Sequence, residues 1–280
     1  MFVLTTENIG DPLAIFVQTG KPNIVISIID TDKIRPTKCC KKCIGKKCHG
    51  ECCNKCRGGS CGSSLNLNDD TREFKVVNGY IQLLPNTKTR DTIYIAGKSG
   101  SGKSTWISKY LALYKEIYPE NPIYLFSRLD EDDVLDQYKP IRMTLNDELV
   151  NDPIDPDQEL SNSLCIFDDT DTIKDKKIKG AVNELKNDIL EIGRHENIFV
   201  CIVSHLINNY KETRTILNES MYITFFPSAG SPHGIKYMLK NNMGLDKKQI
   251  ERIMSLPSRW VTIKNSCPLA VLYEKGIYLL

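Results

Sequence analysis

Residues Gly97, Lys98, Ser99, Gly100, Ser101, Gly102, Lys103, Ser104 and Thr105 form an unbroken run of glycine, lysine and hydroxyl side chains. The spacing Gly97, Gly102, Lys103, Ser104 satisfies the P-loop pattern, in which backbone rather than side chains does most of the binding. Glycines let the chain wrap closely, so that successive N–H groups and the start of the following helix point at phosphate oxygens. Lys103 is then placed to neutralise those oxygens and the Ser104 hydroxyl to ligate magnesium. The expected ligands are ATP and Mg2+. A plain glycine-serine turn capping a helix is the rival reading of the same residues.

A magnesium site of this kind needs a carboxylate at the end of a neighbouring buried strand. Leu164, Cys165, Ile166 and Phe167 lead directly into Asp168 and Asp169. Asp168 is expected to hold magnesium, and Asp169 to orient or deprotonate an attacking water. The competing reading has these acids, Asp171 above all, capping the helix that follows. A third apolar run, 198–203, ends in Ser204 and His205, either of which is suited to sensing a phosphate by hydrogen bonding. In the alternative, Ser204 caps a helix whose first turn contains His205.

These residues require a strand before the P-loop and a helix after it. Residues 92–96 are apolar enough for the strand. Ile107, Tyr110, Leu111, Tyr114, Ile117 and Tyr118 recur at intervals of three and four, which predicts a helix running to Pro119. Further strands are expected at 122–127, 163–167, 197–204, 222–226 and 260–264, with helices at 176–193, 208–220, 234–241 and 246–254. Such alternation implies crossover connections and a mainly parallel sheet covered on both faces. The strand 198–203 fits between the P-loop strand and the Asp168 strand. Near the N-terminus, 13–18 and 24–30 read as a hairpin around a turn of Thr19, Gly20, Lys21, Pro22 and Asn23. Residues 74–84 suggest another strand or hairpin, and 269–280 a closing edge hairpin.

The chain of 280 residues has 41% hydrophobic and 26% charged side chains, which argues for a globular protein rather than a disordered or membrane one. Its longest apolar stretches are too short to span a bilayer, and the first residues lack the pattern of a secretion signal, so no membrane insertion and an intracellular location are expected. A net charge of +2 does not announce nucleic acid by itself. Eight of the eleven cysteines fall between Cys39 and Cys61, among many lysines. Cys40-x-x-Cys43 and Cys53-x-x-Cys56 have the spacing of paired metal knuckles and are the expected zinc ligands. The rival is a low-complexity insertion without metal. The expected organisation is an N-terminal β-hairpin region over 1–38, a cysteine-rich module over 39–64 and an α/β P-loop NTPase domain over 71–280.

Over about three-quarters of the chain these motifs resemble the poxvirus-type genome-packaging ATPases of nucleocytoplasmic large DNA viruses, within the FtsK/HerA superfamily. The resemblance is carried by Ile95 to Thr105, by Ile166-Phe167-Asp168-Asp169, by Gly193-Arg194-His195-Glu196-Asn197-Ile198, and by the Ser204-His205 strand end. His205 stands where the family usually carries Gln, and the cysteine module is not part of the family pattern. The resemblance implies a ring of identical subunits that drives double-stranded DNA into a capsid by ATP hydrolysis, with capsid components as further partners. It also implies residence in the host cytoplasm, a viral factory or the virion. Arg194 looks like the arginine that such rings insert into the neighbouring subunit's nucleotide site, while its plain reading is a cation favoured at a helix C-terminus. Lys174, Lys176, Lys177 and Lys179 are either a solvated face or contacts to DNA phosphates. Two other functions fit the P-loop: a small-molecule or nucleoside kinase, and a weakly hydrolysing scaffold that binds nucleotide and DNA.

Overall fold

The computed structural model describes residues 1–7, 9–31, 72–209 and 212–280. The expected zinc ligands Cys40, Cys43, Cys53 and Cys56, and with them the module 39–64, lie outside the described residues. The described strands are β1 (Phe2–Thr5), β2 (Asp11–Val17), β3 (Ile24–Asp30), β4 (Glu73–Lys75), β5 (Tyr80–Leu83), β6 (Thr92–Ala96), β7 (Ile123–Ser127), β8 (Ile141–Met143), β9 (Leu164–Asp168), β10 (Phe199–Ser204), β11 (Tyr222–Phe225), β12 (Val261–Lys264), β13 (Ala270–Tyr273) and β14 (Gly276–Leu279). The helices are α1 (Lys103–Ile117), α2 (Asp147–Asn151), α3 (Pro156–Glu159), α4 (Lys176–Glu191), α5 (Arg214–Glu219), α6 (Pro232–Asn241) and α7 (Lys247–Met254).

Ten strands form one sheet in the order β4-β14-β13-β12-β11-β6-β10-β9-β7-β8. From β11 to β8 every neighbouring pair is parallel, while β4, β14, β13 and β12 extend the sheet antiparallel beyond β11. The expected place of β10, between β6 and β9, is the observed one. Two local expectations need correction. Residues 74–84 do not form a hairpin: β4 edges the large sheet, whereas β5 joins the small sheet β1-β3-β2-β5. The hairpin β13–β14 is likewise not the edge, because β4 pairs outside β14.

The period of two along each strand sorts the core into two halves. Ile93 and Ile95 of β6, Leu164 and Ile166 of β9, and Cys201 and Val203 of β10 face α1 and the small sheet. Tyr94, Ala96, Cys165, Phe167, Val200 and Ile202 face the other way, into a core shared with α4 to α7. Continuous apolar strands, which look ambiguous in sequence, are thus buried on both faces.

Helix α1 is fixed along its axis by aromatic rings four residues apart. Trp106 stacks on Tyr110, Tyr110 on Tyr114, and Tyr114 meets both Tyr118 and Phe199 of β10, with centroids 5.1–6.5 Å apart. Such pairs contribute about 0.5–1.5 kcal/mol each beyond the area they bury. The Tyr118 hydroxyl donates to the Asn86 carbonyl at 2.6 Å, tying the helix end to the segment that enters β6.

Beside the start of β6, Asp91 is completely buried and accepts hydrogen bonds from the Tyr110 hydroxyl (2.6 Å) and the Asn86 N–H (3.0 Å). Burial pushes its carboxyl up to about 7, against the two hydrogen bonds that favour the charged form. The folded state therefore holds this proton more tightly than the unfolded chain does. Its contribution is complete below the ordinary carboxylate range and is lost as pH rises through about 7. Thermal unfolding should show the wild type losing stability between about pH 4 and pH 7, by no more than roughly 4 kcal/mol from this group. Asp91→Asn should flatten that slope and be the more stable of the two at the alkaline end; equal slopes for the two proteins would contradict the assignment.

Candidate nucleotide site

The site lies where the parallel strands end. β6 gives way at Gly97, whose N–H donates to the Ser204 carbonyl at 3.0 Å and so continues the ladder with β10 by one more bond. A Cβ on Gly97 would come within 2.6 Å of the Ser101 hydroxyl and 2.7 Å of the Phe226 ring, so only glycine fits this turn. Gly100 and Gly102 have φ of +74° and +104°, which side-chain-bearing residues rarely adopt. The loop 97–102 closes on itself through the Ser101 N–H to the Lys98 carbonyl, at 3.1 Å, and α1 begins at Lys103. Lys98, Ser99 and Gly100 are exposed, as is Thr105, whereas Ser104 is half-buried.

Lys103 is 8% exposed, and its ammonium donates to the Gly97 carbonyl at 3.0 Å. Its nearest carboxylate is Asp169, 3.8 Å away at Oδ1. The other Asp169 oxygen lies 2.9 Å from His205 Nε2. Lys103, Asp169 and His205, which come from α1, the end of β9 and the end of β10, are therefore brought together. Asp169 has a φ of 50°. That left-handed conformation turns the chain out of β9, and aspartate tolerates it better than most side chains.

The carboxylate of Asp168, at the last position of β9 and 6% exposed, accepts no hydrogen bond from any described residue. Burial pushes its carboxyl up to about 6, assisted by the charges of Asp169 and Asp132 and opposed by Lys103 and His205. A buried, unpartnered carboxylate beside two others favours the arrival of positive charge. Among the described residues no group of three or more His, Cys, Asp or Glu is arranged as a metal cage. Magnesium does not require one, since it is held by one or two carboxylates together with substrate phosphates and water. The Ser104 hydroxyl and Asp168 fit that ion. The buried Ser101 hydroxyl and Asp169 Oδ1, both without a hydrogen-bond partner, fit a polar ligand over the loop.

Asp171 does not cap the next helix. Asp175 does so, accepting from the N–H groups of Lys177 and Ile178, while Asp171 Oδ2 accepts from the Ser204 hydroxyl at 2.7 Å and from the His205 N–H at 3.4 Å. Ser204 is therefore turned away from the P-loop, and its oxygen accepts from the Leu206 N–H at 3.1 Å. No helix starts at Ser204; α5 begins only at Arg214. The Tyr94 hydroxyl donates to the Leu206 carbonyl, and Lys186, buried in the apolar face of α4, reaches the Thr170 hydroxyl at 3.3 Å. Burial lowers the Lys186 ammonium to about 8. This network was absent from the sequence reading. Its one visible signal was a lysine inside the apolar stripe of Val182, Leu185 and Ile189.

Arg194 is not part of this cluster. It is exposed in the turn after α4, at the edge where β10 begins, so the length of β10, about 20 Å, separates it from His205. The neighbouring Gly193 is required there by packing: a Cβ would lie 2.5 Å from the Arg90 guanidinium, which binds the carbonyls of Ile189, Leu190 and Ile198. Lys174, Lys176 and Lys177 are exposed on the side of the P-loop, whereas Lys179 is engaged by Glu212 at 2.8 Å.

A virophage protein shares much of this sequence. Over 206 residues the chain is 46% identical to uncharacterized protein V3 of Sputnik virophage, spanning 73% of this chain and 83% of the relative. The chain belongs to the family of virophage protein V3. No family model matches it. Among solved structures, the pCW3 conjugation coupling protein TcpA, in its monomer form with ATPγS, aligns over 93% of this chain and 75% of its own, with a TM-score of 0.50 and 11% identity. The V3-family chain shares the fold of that protein. The genome packaging NTPase B204 of Sulfolobus turreted icosahedral virus 2, in complex with AMPPCP, aligns over 65% of this chain and 97% of its own, with a TM-score of 0.47 and 12% identity.

In this V3-family protein the Asp171 carboxylate is the acceptor that holds the end of β10. Asp171→Ala should cost about 1–3 kcal/mol, the penalty for leaving buried donors unpaired, measured by denaturant unfolding. A change within a few tenths of a kcal/mol would mean that the Ser204 contact is dispensable.

Proposed function

We propose that this protein is an ATP-hydrolysing DNA translocase of the FtsK/HerA type, similar to the poxvirus-type packaging ATPases, which drives viral double-stranded DNA into a capsid as a homo-oligomeric ring. The observation that carries the reading is the convergence of Lys103, Asp168, Asp169 and His205 on one P-loop, at the ends of adjacent parallel strands in the order β6-β10-β9. Kinship with a virophage protein supports a viral setting, and the shared fold with TcpA, solved with ATPγS, supports nucleotide binding. The work is assigned to the host cytoplasm, a viral factory or the virion. None of the helices among the described residues is long and apolar enough to cross a membrane.

In this reading the loop 97–102 and the start of α1 bind the phosphates through backbone N–H groups, and Lys103 exchanges the Gly97 carbonyl for phosphate oxygens. Ser104 and Asp168 hold magnesium, which supplies charge neutralisation when bound. Asp169 accepts a proton from the attacking water while His205 Nε2 fixes its second oxygen. His205, facing the loop, is the better phosphate sensor, because the Ser204 hydroxyl is committed to Asp171. Arg194 completes the site of a neighbouring subunit. Its position at the far edge of its own sheet suits action in trans and gives it no role in its own site.

Lys103→Ala should abolish ATP turnover with the fold intact, and turnover in the wild type should respond to double-stranded DNA. Undiminished hydrolysis in Lys103→Ala would remove the reading. Arg194→Ala should bind ATP normally yet hydrolyse it about 10³-fold more slowly or worse. Mixed with Lys103→Ala subunits in shared rings it should recover part of the activity; co-assembled rings as inactive as their parents would argue against action in trans.

A further inference from the structure

The P-loop is walled on one side by the antiparallel extension of the sheet, which brings a second cation to it. A Cβ built on Gly102 would lie 3.7 Å from Arg259 Nη2 and 3.6 Å from the Phe226 ring. Gly102 is the last residue before α1, with a φ of +104°, so its lack of a side chain leaves the guanidinium a clear approach to the loop backbone. Phe226 follows β11, and Arg259 precedes β12, the strand that pairs with β11.

Arg259 is carried on a pinned turn. Its N–H donates to a carboxylate oxygen of Glu274 at 3.0 Å, and the Ser258 hydroxyl donates to the Trp260 carbonyl at 2.6 Å while accepting from the Glu274 N–H at 3.0 Å. Trp260, 7% exposed, packs edge-on against Trp106 in the first turn of α1, with centroids 6.2 Å apart. The backbone bearing Arg259 is thus fixed both to the β13–β14 turn and to the helix that starts at the P-loop. The Glu274 carboxylate accepts from the Arg259 backbone N–H, and the guanidinium itself, though exposed, has no ion-pair partner among the described residues.

A guanidinium held beside a phosphate-binding loop, unpaired and planar, is matched to phosphate oxygens. On the reading that loop 97–102 binds ATP, we infer that Arg259 is a further phosphate contact of the same subunit's nucleotide, supplied in cis from the antiparallel extension. Lys103 reaches the phosphates from α1, and Arg259 approaches from the opposite wall beyond Gly102. Arg194, at the far edge of the sheet, has no part in this contact.

Binding rather than turnover tests this. A fluorescent ATP analogue with magnesium is titrated against the wild type, Arg259→Ala, Arg259→Lys and Lys103→Ala, and inorganic tripolyphosphate is used as competitor. Loss of a charge-assisted contact should weaken the analogue by about 10- to 100-fold in Arg259→Ala, with an unchanged melting temperature in the absence of ligand. Tripolyphosphate should lose the same factor, because the contact is to phosphate and not to the base or sugar. Arg259→Lys should fall between, keeping the charge and losing the fork. Arg259→Ala binding within twofold of wild type, while Lys103→Ala loses binding, would overturn the inference and leave the nucleotide site standing. Wild-type protein that shows no saturable binding would overturn both.

Discussion

The hydrogen bond from the Gly97 N–H to the Ser204 carbonyl, 3.0 Å long, is the constraint on which the site depends. It extends the β6–β10 ladder past the last paired residues, Ala96 and Ser204, and so sets the point at which the loop 97–102 leaves the sheet. On the other side of β10, Val203 stands opposite Asp168. Register alone therefore aligns the start of the P-loop, the end of β10 and the two carboxylates after β9. A slip of one residue in either ladder would turn the side chains at the strand ends to opposite faces and separate Lys103 from Asp169.

Around that alignment, buried apolar side chains hold three strands and one helix still. The aromatic series on α1 fixes the helix against β10, and the two-faced burial of β6, β9 and β10 leaves these strands no freedom to rotate. Polar groups are then tolerated at the strand ends because each has a defined role. Asp171 holds Ser204, His205 meets Asp169, and the Asp168 carboxylate has no hydrogen-bond donor among the described residues.

Much of this arrangement was legible in the sequence, for particular physical reasons. The glycine spacing encodes a backbone shape, so the P-loop and its flanking strand and helix could be placed to within a residue or two: the helix expected to end at Pro119 ends at Ile117. The apolar run before Ser204 could be assigned to the sheet centre because a strand buried on both faces has no polar alternation. What escaped were contacts between distant segments. Asp171 beside Asp168 and Asp169 looks like a helix cap until β10 supplies a better donor, and nothing local marks Arg90 or Asp91 as buried. Short edge strands such as β1 and β8 have too few residues to declare a period. Residues 74–84 read as another strand or hairpin because a turn between two β-rich runs carries no record of which sheet each run will join.

Strand β10 joins two edges of the sheet. At one end is the turn bearing Gly193 and Arg194, and at the other are Ser204 and His205, with hydrogen-bonded strands on both sides throughout. An extended strand cannot lengthen, and one clamped on both sides cannot buckle. Mechanically it is a strut. A displacement of the Arg194 turn along β10 would be carried to Ser204 and His205 rather than taken up within the strand.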